Sequence, residues 1–133
     1  TRTQTYSIRM TADAPKASAY WSNYAGGGVE LGGVIPVTPG KKYAFRVWVK
    51  TDLSAGEGMI TLAFFTRDGR WAAVPGHKPW GTESEKVTGK SDWTERNVTL
   101  TAPEDAYSAV LFFRVKDAVG SCWFDDVSFA EVE

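Results

Sequence analysis

The chain has 133 residues, a formal net charge of −1 and 43% hydrophobic residues. This suits one domain around one core, is neither a disordered nor a membrane-spanning composition, and argues against nucleic acid as the main partner. No apolar run approaches the ~20 residues a bilayer-crossing helix needs, and the opening TRTQTYSIRM lacks the hydrophobic segment of a signal peptide, so neither a membrane partner nor a leader is expected.

In chain order, TYSIRM (5–10) alternates Tyr6, Ile8 and Met10 against polar neighbours, and ASAYWSNYA (17–25) reads as a second strand before the GGG break at 26–28. VELGGVIPV leads into the Pro-Gly turn of TPGKK. KYAFRVWVKT (42–51) is the clearest strand, with Tyr43, Phe45, Val47 and Val49 on one face. MITLAFFTR (59–67) runs into the Asp68-Gly69 turn, and an irregular stretch follows from 70 to 93. TERNVTLTAP, YSAVLFFRVKD and SCWFDDVSFAEV complete the pattern. With no amphipathic helix of three turns, about eight short strands predict an all-β fold: a jelly-roll β-sandwich of two antiparallel sheets, one domain over 1–133.

Within SCWFDDVSF (121–129), Asp125 and Asp126 interrupt an apolar run. Neighbouring strand residues point to opposite faces, so the pair cannot converge on one sugar as glycosidase carboxylates must. Alternation groups Asp125 with Trp123, Val127 and Phe129, the side taken as core-facing. A carboxylate there needs a cation or several donors. Two readings stay open: a calcium ligand, or a hydrogen-bonded residue that ends the strand. Lone Cys122 excludes an intrachain disulfide and reads as a small buried hydrophobe.

VTPGKKYAFRVWVKT, SDWTERNVTLTAP and GSCWFDDVSFAEV, in this order, resemble the galactose-binding-like jelly-roll carbohydrate-binding modules, the group that includes families 4, 9, 16 and 22. The resemblance spans roughly residues 5–132. It implies a sugar-binding sandwich and a structural Ca2+ held in part by a last-strand Asp, here Asp125. The N-G-x-F-E strand that often supplies another ligand is not found in these residues; either the chain is trimmed ahead of Thr1 or another segment substitutes.

With 43, 45, 47 and 49 inward, Arg46, Trp48 and Lys50 face outward. Ile60, Leu62 and Phe64 are placed inward, leaving Thr61, Ala63, Phe65 and Arg67 outside. Leu111, Phe113 and Val115 are placed inward, leaving Val110, Phe112, Arg114 and Lys116 outside. The assembled outer face is an aromatic strip of Trp48, Phe65 and Phe112 flanked by Arg46, Lys50, Arg67 and Arg114. Aromatic faces stack on the C–H patches of pyranose rings, and cationic forks grip hydroxyls and carboxylates, which points to an anionic polysaccharide. Trp48 as packing, or a one-residue slip of phase, is the competing reading.

The 70–93 loop is the second candidate, with Trp80 between Pro79 and Gly81 as a platform. Trp71 reads as packed, Trp93 as frame, Trp123 as structural, and Trp21 and Tyr24 as lining either loop tips or a strand face. His77, the one histidine, sits in PGHKPW without a nucleophile elbow, and one His with one Cys makes no zinc site. Carboxylates from separate loops, such as Asp68 with Glu83 or Glu85, are the remaining catalytic arrangement. The expectation is a non-catalytic, monomeric, extracellular bacterial module that binds a polysaccharide or oligosaccharide and targets an appended glycoside hydrolase or polysaccharide lyase. A structural or protein-binding spacer is the alternative.

Overall fold

The structure is a computed structural model that describes residues 35–132 in full and the backbone of 7–22. Six strands occur among the described residues: β1 (Ser7–Ser22), β2 (Ile35–Pro36), β3 (Lys42–Phe65), β4 (Thr82–Glu83), β5 (Val87–Thr101) and β6 (Ser108–Val132). All pairings are antiparallel, and no helix occurs among the described residues.

Two of these strands are longer than the sequence predicts. Residues 42–51 and 59–67, expected as separate strands, fall in the 24-residue β3 except for Thr66 and Arg67, which lie past its end, and the last two expected strands form the 25-residue β6. DLSAGEG (52–58) reads as a break, yet its backbone continues to pair with β6, through register shifts between Leu53 and Ala55 and between Ala55 and Glu57. Gly56 and Gly120 sit in this bend with φ of 81° and 126°. A side chain at Gly56 would run into the Asp117 carbonyl, and one at Gly120 into that of Asp52. Only glycine allows both the positive φ and the close approach.

The bend doubles the sheet over on itself. The Phe45–Phe129 and Ile60–Phe113 rungs are 15 residues apart along β3. On a flat sheet that is about 50 Å at ~3.3 Å per residue. Instead, the Phe45 and Phe113 rings meet edge to face with centroids 5.7 Å apart, and Phe113 meets Phe124 at 5.4 Å. The result is a two-layer β-sandwich. Layer one is β5, the first half of β3, the second half of β6 and the start of β1. Layer two is β4, the second half of β3, the first half of β6, the end of β1 and β2.

The core follows the predicted alternation. Phe45, Val47 and Val49 of layer one face Ile60, Leu62, Phe64, Leu111, Phe113 and Val115 of layer two, all buried. The alternation fails at the Asp pair. Cys122 and Phe124 belong to the core, and the partly buried Val127 and Phe129 pack against it, which is possible only if one residue is inserted between the two pairs. Asp126 supplies the insertion, with φ of 56° and a register shift between Arg46 and Trp48 on β3. Asp tolerates this left-handed conformation better than most residues. Asp125 therefore lies on the side of Trp48, its register partner, and not on the core side with Val127 and Phe129. It is nonetheless fully buried, and its Oδ1 accepts a hydrogen bond from the Asp126 amide at 2.8 Å. Cys122 packs in the core beside Gly58, where a Cβ would come within 2.6 Å of its sulfur, and burial pushes its thiol up to about 12.

Candidate ligand-binding cleft

The outward side of layer two is covered along its middle. Met59, Thr61, Ala63, Val110 and Phe112 point away from the core yet are buried, Phe112 at 8% exposure. The 66–84 segment returns across this side from the end of β3. Thr66 and Arg70 close the turn through backbone bonds, and Asp68 accepts hydrogen bonds from Thr66 and Arg70. The Thr66 hydroxyl foremost, with the Arg70 charge, holds the exposed Asp68 carboxyl below its ordinary pKa against the opposing effect of desolvation. The turn lays Trp71 on Phe65, ring centroids 4.7 Å apart, and 6.4 Å from Phe112. Further on, Gly81 (φ 120°) sits so close to the sheet that a Cβ would meet the Thr61 methyl at 2.8 Å.

Beyond Gly81 the loop leaves an open cleft of about 550 Å3 against β4 and β6. Its aromatic element is Trp80, 51% exposed, the most exposed of the large hydrophobic side chains among the described residues. Lys78 holds its ammonium 5.3 Å from the indole centroid. The His77 Nδ1 and Thr82 hydroxyl oxygen are 2.6 Å apart, pinning the loop to β4. Lys86, Arg114 and Lys116 line the far side, and Glu83 is the one carboxylate. Glu83 contacts Lys86 Nζ at 3.0 Å and Arg114 Nη1 at 3.6 Å. Burial by itself would raise the Glu83 pKa. The Lys86 hydrogen bond and the charges of Lys86, Arg114 and Lys116 outweigh it and hold the carboxyl below its ordinary value. Four permanent cations, one histidine and one engaged carboxylate around an exposed indole can stack a ring and bind negative charge.

The residues expected to form one aromatic strip are distributed over two opposite faces. Arg114 and Trp80 meet in the cleft. Phe65 and Phe112 lie at one end of the same side but are mostly covered, grouped with Trp71; Arg67 stacks 4.9 Å above the Tyr107 ring. Trp71, expected as packed, does stack on Phe65 yet keeps 37% of its surface exposed. Arg46, Trp48 and Lys50 lie on the outward side of layer one, across the core from all of these. There Lys50 sits 5.4 Å from the Trp123 centroid, at a smaller cleft of about 370 Å3 that also includes Lys90 and Asp92. The two faces part because the bend at 52–58 turns β3 over, so outward residues before and after it point in opposite directions. Trp21 is the register partner of Phe113 in β1, and its side chain, like all of Tyr24, lies outside the described residues.

The sequence reading raised Glu83 only as a candidate catalytic carboxylate and did not select Lys78, Lys86 or Lys116 as site residues. The charged stretch between Trp80 and β5 was the signal for Glu83 and Lys86, but its folding onto β6 beside Lys116 is a tertiary event. Asp68 and Glu83 bind their own separate cations and form no carboxylate pair. No group of three or more His, Cys, Asp or Glu side chains with metal-holding geometry occurs among the described residues.

No family model matches the chain. The curated relatives include the tRNA(Glu)-specific nuclease WapA of Bacillus subtilis subsp. natto, 32% identical over 103 residues, and the tRNA nuclease WapA of Bacillus subtilis, 29% identical over 104. Each match covers 74% of this chain but only 4% of the relative, so the chain spans a small fraction of those proteins. Among solved structures, a family 16 carbohydrate-binding module is similar with a TM-score of 0.57 and 14% identity, over 94% of this chain and 76% of that one. A CBM4 structure gives 0.55 and 19%, over 98% and 74%. The CBM22-1 xylan-binding domain of Paenibacillus barcinonensis Xyn10C gives 0.51 and 12%, over 96% and 72%. The fold is that of the jelly-roll carbohydrate-binding modules.

Proposed function

We propose that this chain is a non-catalytic carbohydrate-binding module of a longer extracellular protein, and that an anionic polysaccharide binds it in the Trp80 cleft. The observation that carries the reading is an exposed indole among Lys78, Lys86, Arg114 and Lys116 in a chain of formal net charge −1. The positive charge is therefore concentrated by the fold and is not a property of overall composition. The fold shared with carbohydrate-binding modules supports the choice of sugar as ligand. By holding an appended domain at the polymer, the module raises local concentration without chemistry of its own.

Native electrophoresis through gels containing xanthan, alginate or pectin, against xylan, mixed-linkage glucan or mannan, tests this reading. Retardation is expected in an anionic gel, lost in Trp80→Ala and reduced in Arg114→Gln, and unchanged in Trp48→Ala. Loss in Trp48→Ala alone would move the site to the opposite face. No retardation in any gel would favour a spacer domain. A basic cleft with an indole also suits single-stranded RNA, so an RNA lane is included, and tighter binding there than to any polysaccharide would overturn the sugar reading.

A structural Ca2+ held in part by Asp125 belongs to the same proposal. The buried carboxylate supports it. EDTA should then lower the melting temperature and added Ca2+ restore it; an unchanged melting curve would leave Asp125 as the hydrogen-bonded residue of the bulge.

A further inference from the structure

Resting on that reading of the cleft, we infer that Glu83 occupies the anion position of the site, and that an acidic sugar binds by displacing its carboxylate from Arg114 and Lys86. Glu83 is placed by β4, a strand of two residues whose pairing with Thr61 fixes the backbone at the cleft wall. Its two oxygens take different partners: Oε1 meets Lys86 Nζ at 3.0 Å and Oε2 meets Arg114 Nη1 at 3.6 Å.

The two contacts differ in strength. The first has hydrogen-bond length, whereas the second is beyond it. Arg114 is thus held near an anion without its planar fork being committed to a two-point bond. A ligand carboxylate or sulfate entering beside Trp80 offers that two-point geometry, which Glu83 does not use. Both partners of Glu83 keep about a third or more of their side-chain surface exposed, so the exchange needs no unfolding of the site. Glu83 then fulfils two roles. It compensates the clustered cations while the cleft is free, and it sets the sugar class, because a neutral sugar has no group to trade for it. Glu83 is a specificity-determining residue on this account.

Isothermal titration of the whole chain with tetragalacturonate and with neutral cellotetraose tests the exchange, using wild type, Glu83→Gln, Glu83→Asp and Trp80→Ala. Removing one like charge next to the bound anion should tighten tetragalacturonate in Glu83→Gln by roughly 5- to 10-fold. Cellotetraose should be unaffected, and Glu83→Asp, which keeps the charge, should stay near wild type. Wild-type binding that Trp80→Ala removes but Glu83→Gln weakens or leaves unchanged would overturn the exchange, with Glu83 then a support for Arg114 and the cleft reading intact. If the affinity gain appears equally for cellotetraose, charge exchange is likewise overturned. If neither wild type nor Glu83→Gln binds tetragalacturonate or is retarded in any anionic gel, the cleft reading falls and the exchange with it. A melting curve of Glu83→Gln separates lost folding from lost binding, and Glu83→Asp then carries the comparison, since weaker binding than wild type there also counts against displacement.

Discussion

The outward sides of the two layers start from the same strand alternation and end in different environments. On layer one, Arg46, Asn97 and Ser128 remain exposed around a half-buried Trp48. On layer two, the equivalent positions Thr61, Ala63 and Phe112 are buried under a returning segment that carries Trp71 and Gly81. Alternation therefore determines which residues leave the core, but not whether they reach solvent. On the second face, the exposed indole and cations lie to the side, not on the strand surface but in the cleft between the covering loop and β6.

Substitutions can break this contrast. The largest stability effect is expected for Phe112→Ala, which empties a packed site on the covered face and should cost about 3 kcal/mol or more in urea unfolding. Arg46→Ala on the open face should stay within about 0.5 kcal/mol. Similar values for the two would mean that the covered face is not a second core.

Thr61 offers a sharper test with a smaller effect. Its hydroxyl is buried with no hydrogen-bond partner among the described residues, and its methyl lies against Gly81 of the covering loop. Thr61→Val keeps the shape and removes the unsatisfied group, so it should raise stability by roughly 1 kcal/mol. A loss of stability would show that the hydroxyl has a partner in solution.

The smallest effect concerns pH. The folded pKa of Glu83 is depressed, so its ion pairs add stability above the ordinary glutamate range, and this is lost as pH falls through the lower folded value. Because the pair is about a third exposed, the contribution should be below ~1 kcal/mol. Subtracting the urea midpoints of Glu83→Gln from those of wild type between pH 3 and pH 7 should show it; a difference independent of pH would count against the pairing.

Much of the fold was legible along the chain. The inward sets at 43–49, 60–64 and 111–115 are those of the structure, because period-two alternation is a local property and each set lies within one uninterrupted stretch of strand. Reading failed where a local irregularity changed the phase or direction. Asp126 shifts the face of everything after it by adopting a conformation that no composition rule announces. The 52–58 bend keeps its pairing while turning β3 over, which placed Trp48 and Phe112 on opposite sides of the molecule.

The sequence by itself determined the β class, the core residues and a concentration of aromatic and cationic side chains, since strand periodicity and residue chemistry need no partner to be seen. Tertiary structure alone decided that Trp80 and Arg114 share a cleft, that Glu83 stands between Arg114 and Lys86, and that Phe112 is covered. Those facts depend on how a loop of more than a dozen residues returns to a sheet, and the closing of such a loop is governed by contacts distant in sequence rather than by its own pattern.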